Sequence, residues 1–265
     1  MTDVDAGDLI YTVEDGVGTI VLNRPHAKNA FTLEMIESWA AALRSARRDP
    51  DVRVVVVTGA GNAFCSGIDL SVLEAVGDEP LALKSMLTEG VHEVARAVDE
   101  LSKPVIAAVN GAAVGAGMDM ALMCDIRILS QSARMSEGYI RVGLVPGDGG
   151  CYYLPRLVGT SKALELLWTG DFVNANEALS MGLATSVFAD DDFQAAYRAF
   201  VSRLAGLPPI NVAMIKKAVQ QSVHTDLRTA LDLISSHLAV VHGTRDSHEA
   251  RAALRERRTP LFEGR

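Results

Sequence analysis

The sequence predicts an α/β fold, and three observations support that prediction. Two continuous apolar runs, 52–59 (VRVVVVTG) and 103–111 (KPVIAAVNG), end in glycine and are typical of strands buried on both faces. Segments whose apolar residues recur at helical spacing alternate with these runs along the chain. From about residue 160 helical periodicity dominates. We therefore expect an α/β core followed by a helical region.

The first half of the chain supplies the alternating elements. Val17–Asn23 alternates and is β-branched, which predicts a strand that ends at the following Arg-Pro pair. Thr32–Arg47 predicts a helix, because a capping threonine precedes apolar residues at helical spacing. We expect a further helical stretch over Pro80–Ser102. The run CDIRILS (124–130) predicts another strand.

The second half is mostly helical. One short strand, Ala184–Phe188, is expected there. Apolar spacing predicts helices over Lys162–Trp168, Asn176–Met181, Asp191–Leu204, Pro209–Ser222 and Thr225–Val241. We accordingly divide the chain into an α/β core, residues 1–195, and a helical C-terminal region, residues 196–265.

Composition argues against several classes of function. The chain has 265 residues, 25 of them Lys or Arg and 33 Asp or Glu, so its net charge of −8 disfavours a nucleic-acid-binding surface. Its three cysteines form no CxxC or Cys/His pattern, so we expect neither a metal site nor a disulfide framework. The N-terminal MTDVDAGDLI lacks the cationic and apolar segments of a signal peptide. We expect a cytoplasmic protein with no membrane association.

Two glycine-rich loops follow the two buried runs, TGAGNAFCSGIDL (58–70) and NGAAVGAGMD (110–119). Each loop alone is typical of a tight turn. Loops at the ends of neighbouring parallel strands meet in the crevice where open α/β sheets bind ligands. Two free backbone N–H groups brought together there could form an oxyanion hole.

Asp119 is an unusual residue in this context. It lies within an apolar stretch, where a carboxylate costs free energy unless it is paired, hydrogen-bonded or functional. One interpretation is a catalytic acid/base, since the small residues before it leave space for a ligand. The other is a first-turn helix carboxylate satisfied by backbone amides.

Five segments resemble successive signature segments of the crotonase (enoyl-CoA hydratase/isomerase) superfamily, in the correct order across about residues 10–263. They are VLNRPHAKNAF, GNAFCSGIDL, KPVIAAVNGAAVGAGMDMALMCDIRI, VGLVPGDGGCYYLPRLVG and ALRERRTPLFEG. The resemblance implies a spiral of ββα units and a helical C-terminal trimerisation region. It also implies a homotrimer or a dimer of trimers, and a coenzyme A thioester as substrate without a permanently bound cofactor.

The resemblance assigns roles residue by residue. The two N–H groups that hold the thioester oxygen would belong to Ile68 and Ala116. At the position of Ala116 the family more usually has a glycine. The coenzyme A end of the substrate would lie along a strip made of Arg24, Ala27, Lys28, Ala63, Cys65, Ser66 and Gly67.

The resemblance also shows a departure. Hydratases of the family hold water between two glutamates, and these positions carry Asp119 and Tyr139 here. A tyrosine is a poor base at neutral pH. Glu137 could replace the missing acid only if the loop bends. Asp148 is a further candidate, although its place before two glycines and a helix favours an N-cap.

We therefore predict an acyl-CoA enzyme that stabilises a thioester enolate and acts on 2-enoyl-CoA by hydration or by a double-bond shift. Loss of one glutamate weakens hydration more than enolate formation, since a positioned acid/base group is worth about 10²–10⁴ in rate. Two alternatives stay open: a non-catalytic acyl-CoA-binding homologue, and a hydrolase of carbon–carbon bonds. The orientation of Asp119 separates catalysis from binding alone.

Overall fold

A computed structural model describes residues 7–265. We searched the N-terminal segment MTDVDAGDLI for the features of a signal peptide, and residues 1–6 of that segment lie outside the described residues. The strands are β1 (Leu9–Glu14), β2 (Val17–Leu22), β3 (Val54–Gly59), β4 (Ala63–Cys65), β5 (Val105–Val109), β6 (Ala112–Val114), β7 (Ile126–Ser130), β8 (Arg134–Ser136), β9 (Val173–Asn174) and β10 (Ser186–Phe188).

Helices follow the short strands and fill the C-terminal third. They are α1 (Leu33–Arg48), α2 (Leu70–Val76), α3 (Pro80–Ser85), α4 (His92–Asp99), α5 (Ala116–Leu122), α6 (Gly150–Val158), α7 (Thr160–Thr169), α8 (Ala175–Ser180), α9 (Asp190–Ala205), α10 (Pro209–Ser222), α11 (Leu227–His242) and α12 (Arg245–Glu256). A π-helical turn, Met86–Val91, joins α3 to α4, and 3₁₀ turns cover Pro25–Ala27 and Gly138–Val142.

The strands form two sheets. The larger has the order β1-β2-β3-β5-β7-β10 and is parallel except for the antiparallel pair β1-β2. The smaller has the order β4-β6-β8-β9. A long strand, a short strand and a helix recur as β3-β4-α2, β5-β6-α5 and β7-β8-α6. This repeat confirms the predicted spiral of ββα units.

The larger sheet is buried on both faces, as the continuous apolar runs predict. One face of β3 and β5 packs in the main core with α1, whereas the other face packs against α9. α9 makes these contacts through Phe193, Tyr197, Val201 and Ala205. These residues lie on both sides of position 195. The boundary predicted at 195/196 runs through α9.

The long elements match the sequence predictions closely. Thr32 caps α1 by accepting a hydrogen bond from the backbone N–H of Met35, as expected. The stretch predicted as helical over 80–102 is helical from Pro80 to Asp99, and the π-helical turn divides it. The short strands β4, β6 and β8 were not predicted, because three residues cannot show an alternating pattern.

The described residues bear on the expectations about the membrane and about the cysteines. Across residues 7–265 no helix is long and apolar enough to cross a bilayer. Cys65, Cys124 and Cys151 are all free thiols.

Candidate active site

The two glycine-rich loops come into direct contact. Gly67 has φ +100°, and a Cβ built there would lie 3.1 Å from the carbonyl oxygen of Val114 and 3.5 Å from the nitrogen of Ala116. A Cβ on Gly117 would lie 2.1 Å from the carbonyl oxygen of Cys65. Glycine is required at these positions because the two backbones approach too closely for a side chain.

The N–H groups of Ile68 and Ala116 have no hydrogen-bond acceptor among residues 7–265. Ala116 begins α5, where an N–H group has no partner within the helix. Ile68 pairs with Phe31 in an isolated bridge that uses the N–H groups of Phe31 and Asp69 and leaves that of Ile68 unused. Both groups are therefore available to an oxygen placed between the two loops.

Asp119 lies in the first turns of α5 and is fully buried. It does not cap the helix, whose N-cap residue is Gly115. Its Oδ2 accepts a hydrogen bond from the Tyr139 hydroxyl at 2.7 Å, and its Oδ1 makes no close hydrogen bond within residues 7–265. The backbone amide of Gly150 on α6 favours the ionised form, so a backbone amide does help to hold this carboxylate, although not as a cap of α5.

Tyr139 connects Asp119 to Asp148. Its hydroxyl oxygen lies 3.0 Å from Oδ2 of Asp148, which is 7% exposed. The expectation that Asp148 caps the following helix is wrong, since the N-cap of α6 is Gly149 and no side chain caps it. Gly149 has φ +120°, and this turn directs Asp148 inward instead.

Glu137 reaches the same cluster. It is 1% exposed, and neither of its carboxyl oxygens has a partner among residues 7–265. A Cβ on Gly150 would lie 2.5 Å from Oδ1 of Asp119 and 2.9 Å from both oxygens of Glu137. Oδ1 of Asp119 and both oxygens of Glu137 therefore converge beside Gly150, at distances that only a glycine permits. The four candidate side chains, Asp119, Glu137, Tyr139 and Asp148, come together.

Burial dominates the electrostatics of this cluster. It raises the pKa of Asp119 to about 6, although the hydrogen bond from Tyr139 opposes the shift. Burial, followed by the charge of Asp119, raises the pKa of Glu137 far above that of an ordinary carboxyl group. Burial also raises the pKa of Asp148, against the effects of Tyr139 and His92. The pKa of Tyr139 is raised as well, so at neutral pH it is a hydrogen-bond donor and not a base.

The strip predicted for coenzyme A is assembled from two segments. The backbone N–H of Ser66 donates to the carbonyl of Lys28, and the Ser66 hydroxyl donates to the carbonyl of Ala27. Lys28 is exposed, and its ammonium group contacts Asn62. Ala63, Cys65 and Gly67 are buried. The Cys65 thiol lies 3.1 Å from the carbonyl oxygen of Asn29.

Arg24 is engaged within the protein. Its guanidinium group donates to the carbonyl of Ala30 and to Asp69 at 2.7 and 2.9 Å, and lies 3.4 Å from Asp8. Hydrogen bonds from Ser71 and then Arg24 lower the pKa of Asp69 to about 2. In this arrangement Arg24 braces the loop that carries Ile68.

Three residues of the site were not anticipated. Gly150 provides the space between the carboxyl groups, and Nε2 of His92 lies 2.7 Å from the carbonyl oxygen of Gly147, next to Asp148. Asn29, fully buried with φ +57°, donates to the carbonyls of Ala60 and Ala63. Asparagine adopts this left-handed conformation more readily than most residues. An asparagine at this position is therefore the one feature of the sequence that could have indicated the turn. Among residues 7–265 no cluster of three His, Cys, Asp or Glu residues could hold a metal ion.

Comparison with known proteins agrees with this architecture. The family described as Enoyl-CoA hydratase/isomerase matches residues 12–265. A Rhodobacter capsulatus protein named "Probable enoyl-CoA hydratase" is 37% identical over 255 residues, covering 96% of this chain and 97% of the relative. The 1,2-epoxyphenylacetyl-CoA isomerase of Escherichia coli is 34% identical over 254 residues, covering 96% and 97%.

Solved structures give the same result. The crystal structure of an enoyl-CoA hydratase from Bacillus anthracis matches with a TM-score of 0.93 at 31% sequence identity, covering 98% of this chain and 100% of that one. The similarity thus extends over nearly the full length in sequence and in fold. The chain belongs to the enoyl-CoA hydratase/isomerase family of the crotonase superfamily, and it is an enzyme of that type.

Proposed function

We propose that the enzyme shifts the double bond of enoyl-CoA thioesters, with Asp119 carrying the proton. One observation carries this proposal: a buried aspartate, with one free oxygen, lies three residues after Ala116 on the helix whose first N–H is unused. Tyr139 occupies the position where a hydratase of the family has its second glutamate. A double-bond shift needs one group that moves a proton between two carbons of the acyl chain.

The chemistry follows from these groups. In its ionised form, Asp119 removes a proton from the carbon next to the thioester carbonyl. The electron pair of that C–H bond forms the enolate, whose negative oxygen accepts hydrogen bonds from the N–H groups of Ile68 and Ala116. As the thioester carbonyl is restored, the enolate electron pair forms the double bond between C2 and C3. The π electrons between C3 and C4 then take the proton from Asp119 at C4, and Asp119 is ionised again. Each well-placed oxyanion donor of this kind is worth about 10²–10³ in rate.

Substrate binding is proposed along the strip that the resemblance assigns. The exposed Lys28 would meet the coenzyme A phosphates, while the backbone from Ala63 to Gly67 would line the pantetheine arm. Arg24 would act by bracing this loop, since it is already paired with Asp69. We propose coenzyme A as part of the substrate and no permanently bound cofactor.

Hydration is the second candidate, and Glu137 is the observation that favours it. The unpartnered oxygens of Asp119 and Glu137 face the same space beside Gly150. A buried water needs two to four polar partners, and these carboxyl groups could supply them. With Glu137 protonated and Asp119 ionised, the pair would contain one acid and one base.

We also propose a homotrimer or a dimer of trimers. Large apolar side chains are exposed along α10 and α11: Ile215, Val219, Val223, Leu227, Leu231, Ile234 and Leu238. An apolar face of this size on a helical pair is typical of an interface. We propose a cytoplasmic location, which the three free thiols support.

A panel of 2-enoyl- and 3-enoyl-CoA thioesters tests the reaction. Absorbance of the conjugated thioester would appear with a 3-enoyl-CoA and fall on hydration of a 2-enoyl-CoA. We expect turnover of the 3-enoyl esters, lost in Asp119→Asn and retained in the control Asp15→Asn, an exposed turn residue. Tight binding without turnover of any ester would contradict the proposal and favour the non-catalytic alternative. Hydration alone would favour the second candidate, and cleavage of a carbon–carbon bond would favour the hydrolase.

A further inference from the structure

The Tyr139 hydroxyl lies within hydrogen-bond distance of two buried carboxyl groups. Its oxygen is 2.7 Å from Oδ2 of Asp119 and 3.0 Å from Oδ2 of Asp148. A phenol has one proton to donate, and an ionised carboxylate can only accept. Both contacts are full two-centre hydrogen bonds when one of the two carboxyl groups is protonated and donates to the phenol oxygen.

The two distances indicate which carboxyl group holds the proton. An O–H group that donates to a charged carboxylate makes a short bond of about 2.5–2.7 Å, whereas neutral O–H···O bonds extend to about 3.0 Å. The contact with Asp119 is the short one. The short contact is the one expected when Tyr139 donates to an ionised Asp119, and the longer contact then has the length of a neutral bond that Asp148 could donate.

We propose that Asp148 is held as a neutral carboxylic acid that donates to Tyr139, so that Tyr139 is a fixed donor to Asp119. Asp148 is then a positioning residue. Oδ2 of Asp119 is occupied by the phenol and Oδ1 is left as the reacting oxygen. This last step rests on the proposed function, while the protonation of Asp148 does not.

The surroundings of Asp148 support a neutral acid. Its side chain is buried, its Oδ1 has no partner, and within residues 7–265 neither Lys nor Arg pairs with it. Burial without a cation favours the neutral form of a carboxyl group. Asp119 is buried as well, but hydrogen bonds from Tyr139, Glu137 and Gly150 favour its ionised form, whereas among the described residues the Asp148 side chain has only the contact with Tyr139. Gly149 at the helix N-cap also leaves Asp148 without a capping role.

Other titratable groups contribute to the balance. Asp119 on α5 and Glu137 after β8 add negative charge when ionised, which favours the neutral form of Asp148. His92 on α4 acts in the opposite direction when it is protonated. Burial, with a smaller contribution from these carboxyl groups, raises the pKa values of the thiols of Cys65 on β4 and Cys151 on α6, so both thiols are neutral at neutral pH.

Infrared spectroscopy of the whole protein tests the protonation state without any substrate. A neutral carboxyl group gives a carbonyl band separate from the carboxylate bands. At pH 7 we expect the wild type to show such a band that Asp148→Asn loses. Glu137→Gln should remove a different neutral band, and Asp15→Asn should remove none. A spectrum of Asp148→Asn that retains every neutral carboxyl band of the wild type would overturn the proposal.

The positioning role is tested by kinetics on 3-hexenoyl-CoA as the probe. Asparagine can still donate to Tyr139, so the acid limb of the kcat/KM profile of Asp148→Asn should stay at the wild-type pH. Asp148→Leu cannot donate, so Tyr139 becomes a weaker donor to Asp119 and the acid limb should move up by on the order of half a pH unit.

A different shift of the acid limb is expected if Asp148 is ionised. In that case Asp148→Asn removes a negative charge beside Asp119, and the acid limb moves to lower pH. That shift would overturn the positioning role. A wild type without turnover of the probe would contradict the proposed function instead, and the infrared result would still decide the protonation state of Asp148.

Discussion

Asp119 is the residue on which the chemistry depends, and its surroundings explain how a carboxylate is kept in an apolar segment. One oxygen receives a hydrogen bond from Tyr139, and the other faces the space beside Gly150. The sequence placed Asp119 and Tyr139 in the site through the family resemblance. The inward direction of Glu137 could not be predicted, because it depends on the backbone turn that follows β8.

Tyr139→Phe tests the hydrogen bond at the residue scale. The hydrogen bond lowers the pKa of Asp119, so its loss raises that pKa. A bond to a charged group is worth about 1.5–3 kcal/mol, which corresponds to about one to two pH units. Because Asp119 acts as the ionised base, activity is present above its pKa, and the acid limb of kcat/KM should move to higher pH. An unmoved limb would show that the phenol does not tune Asp119.

Glu137→Gln tests the burial of the second carboxyl group. The pKa of Glu137 is raised in the folded protein, so between the unfolded and folded pKa values the unfolded chain releases a proton that the folded chain retains. Glu137 therefore lowers the stability as pH rises, by at most about 1.4 kcal/mol per pH unit. The glutamine variant should gain stability over the wild type between pH 5 and pH 9, measured by urea unfolding. A difference that is independent of pH would mean that Glu137 ionises normally in the folded state.

At the scale of elements, the site depends on how closely α5 approaches β4. The apolar runs predicted the long strands, and the glycines predicted the loops. The small sheet was not predicted, because its strands have two or three residues each and depend on pairing between distant segments. The same pairing brings Ile68 and Ala116 together, so the resemblance, and not local pattern, assigned those two roles.

Gly117→Ala tests that close approach. Alanine favours a helix over glycine by about 1 kcal/mol, but the added Cβ would lie 2.1 Å from the carbonyl oxygen of Cys65. Overpacking against a backbone costs about 1–3 kcal/mol or more, so the clash should prevail and the melting temperature should fall. Gly206→Ala is the matched control, because its nearest contact would be an ordinary 3.5 Å. Equal melting temperatures of the two variants would be inconsistent with the described packing.

At the scale of the whole molecule, the C-terminal helices present apolar side chains outward. The sequence predicted these helices, and α10 has the bounds that the sequence suggested. Their exposed face could not be predicted, because helical periodicity does not tell a face packed on the core from one packed on another chain. Helical periodicity also does not show which helices pack on the sheet. α9 continues across the predicted boundary at 195/196 and packs on the sheet.

Leu238→Glu tests the proposed interface. Leu238 is 66% exposed on α11, and burying a carboxylate in an apolar interface is costly. We expect light scattering during size-exclusion chromatography to show trimers or hexamers for the wild type and smaller species for this variant. Ser236→Glu, exposed on the opposite side of the helix, should leave the mass unchanged. A wild type that elutes as a monomer would contradict the interface.

We propose above all that Asp119 and the N–H groups of Ile68 and Ala116 form an enolate from a thioester. Exchange of the α-protons of butanoyl-CoA in deuterium oxide, followed by NMR, measures that step without a double-bond shift or hydration. We expect exchange by the wild type and a loss of about 10²–10⁴-fold in Asp119→Asn. Exchange at the wild-type rate in that variant would contradict it.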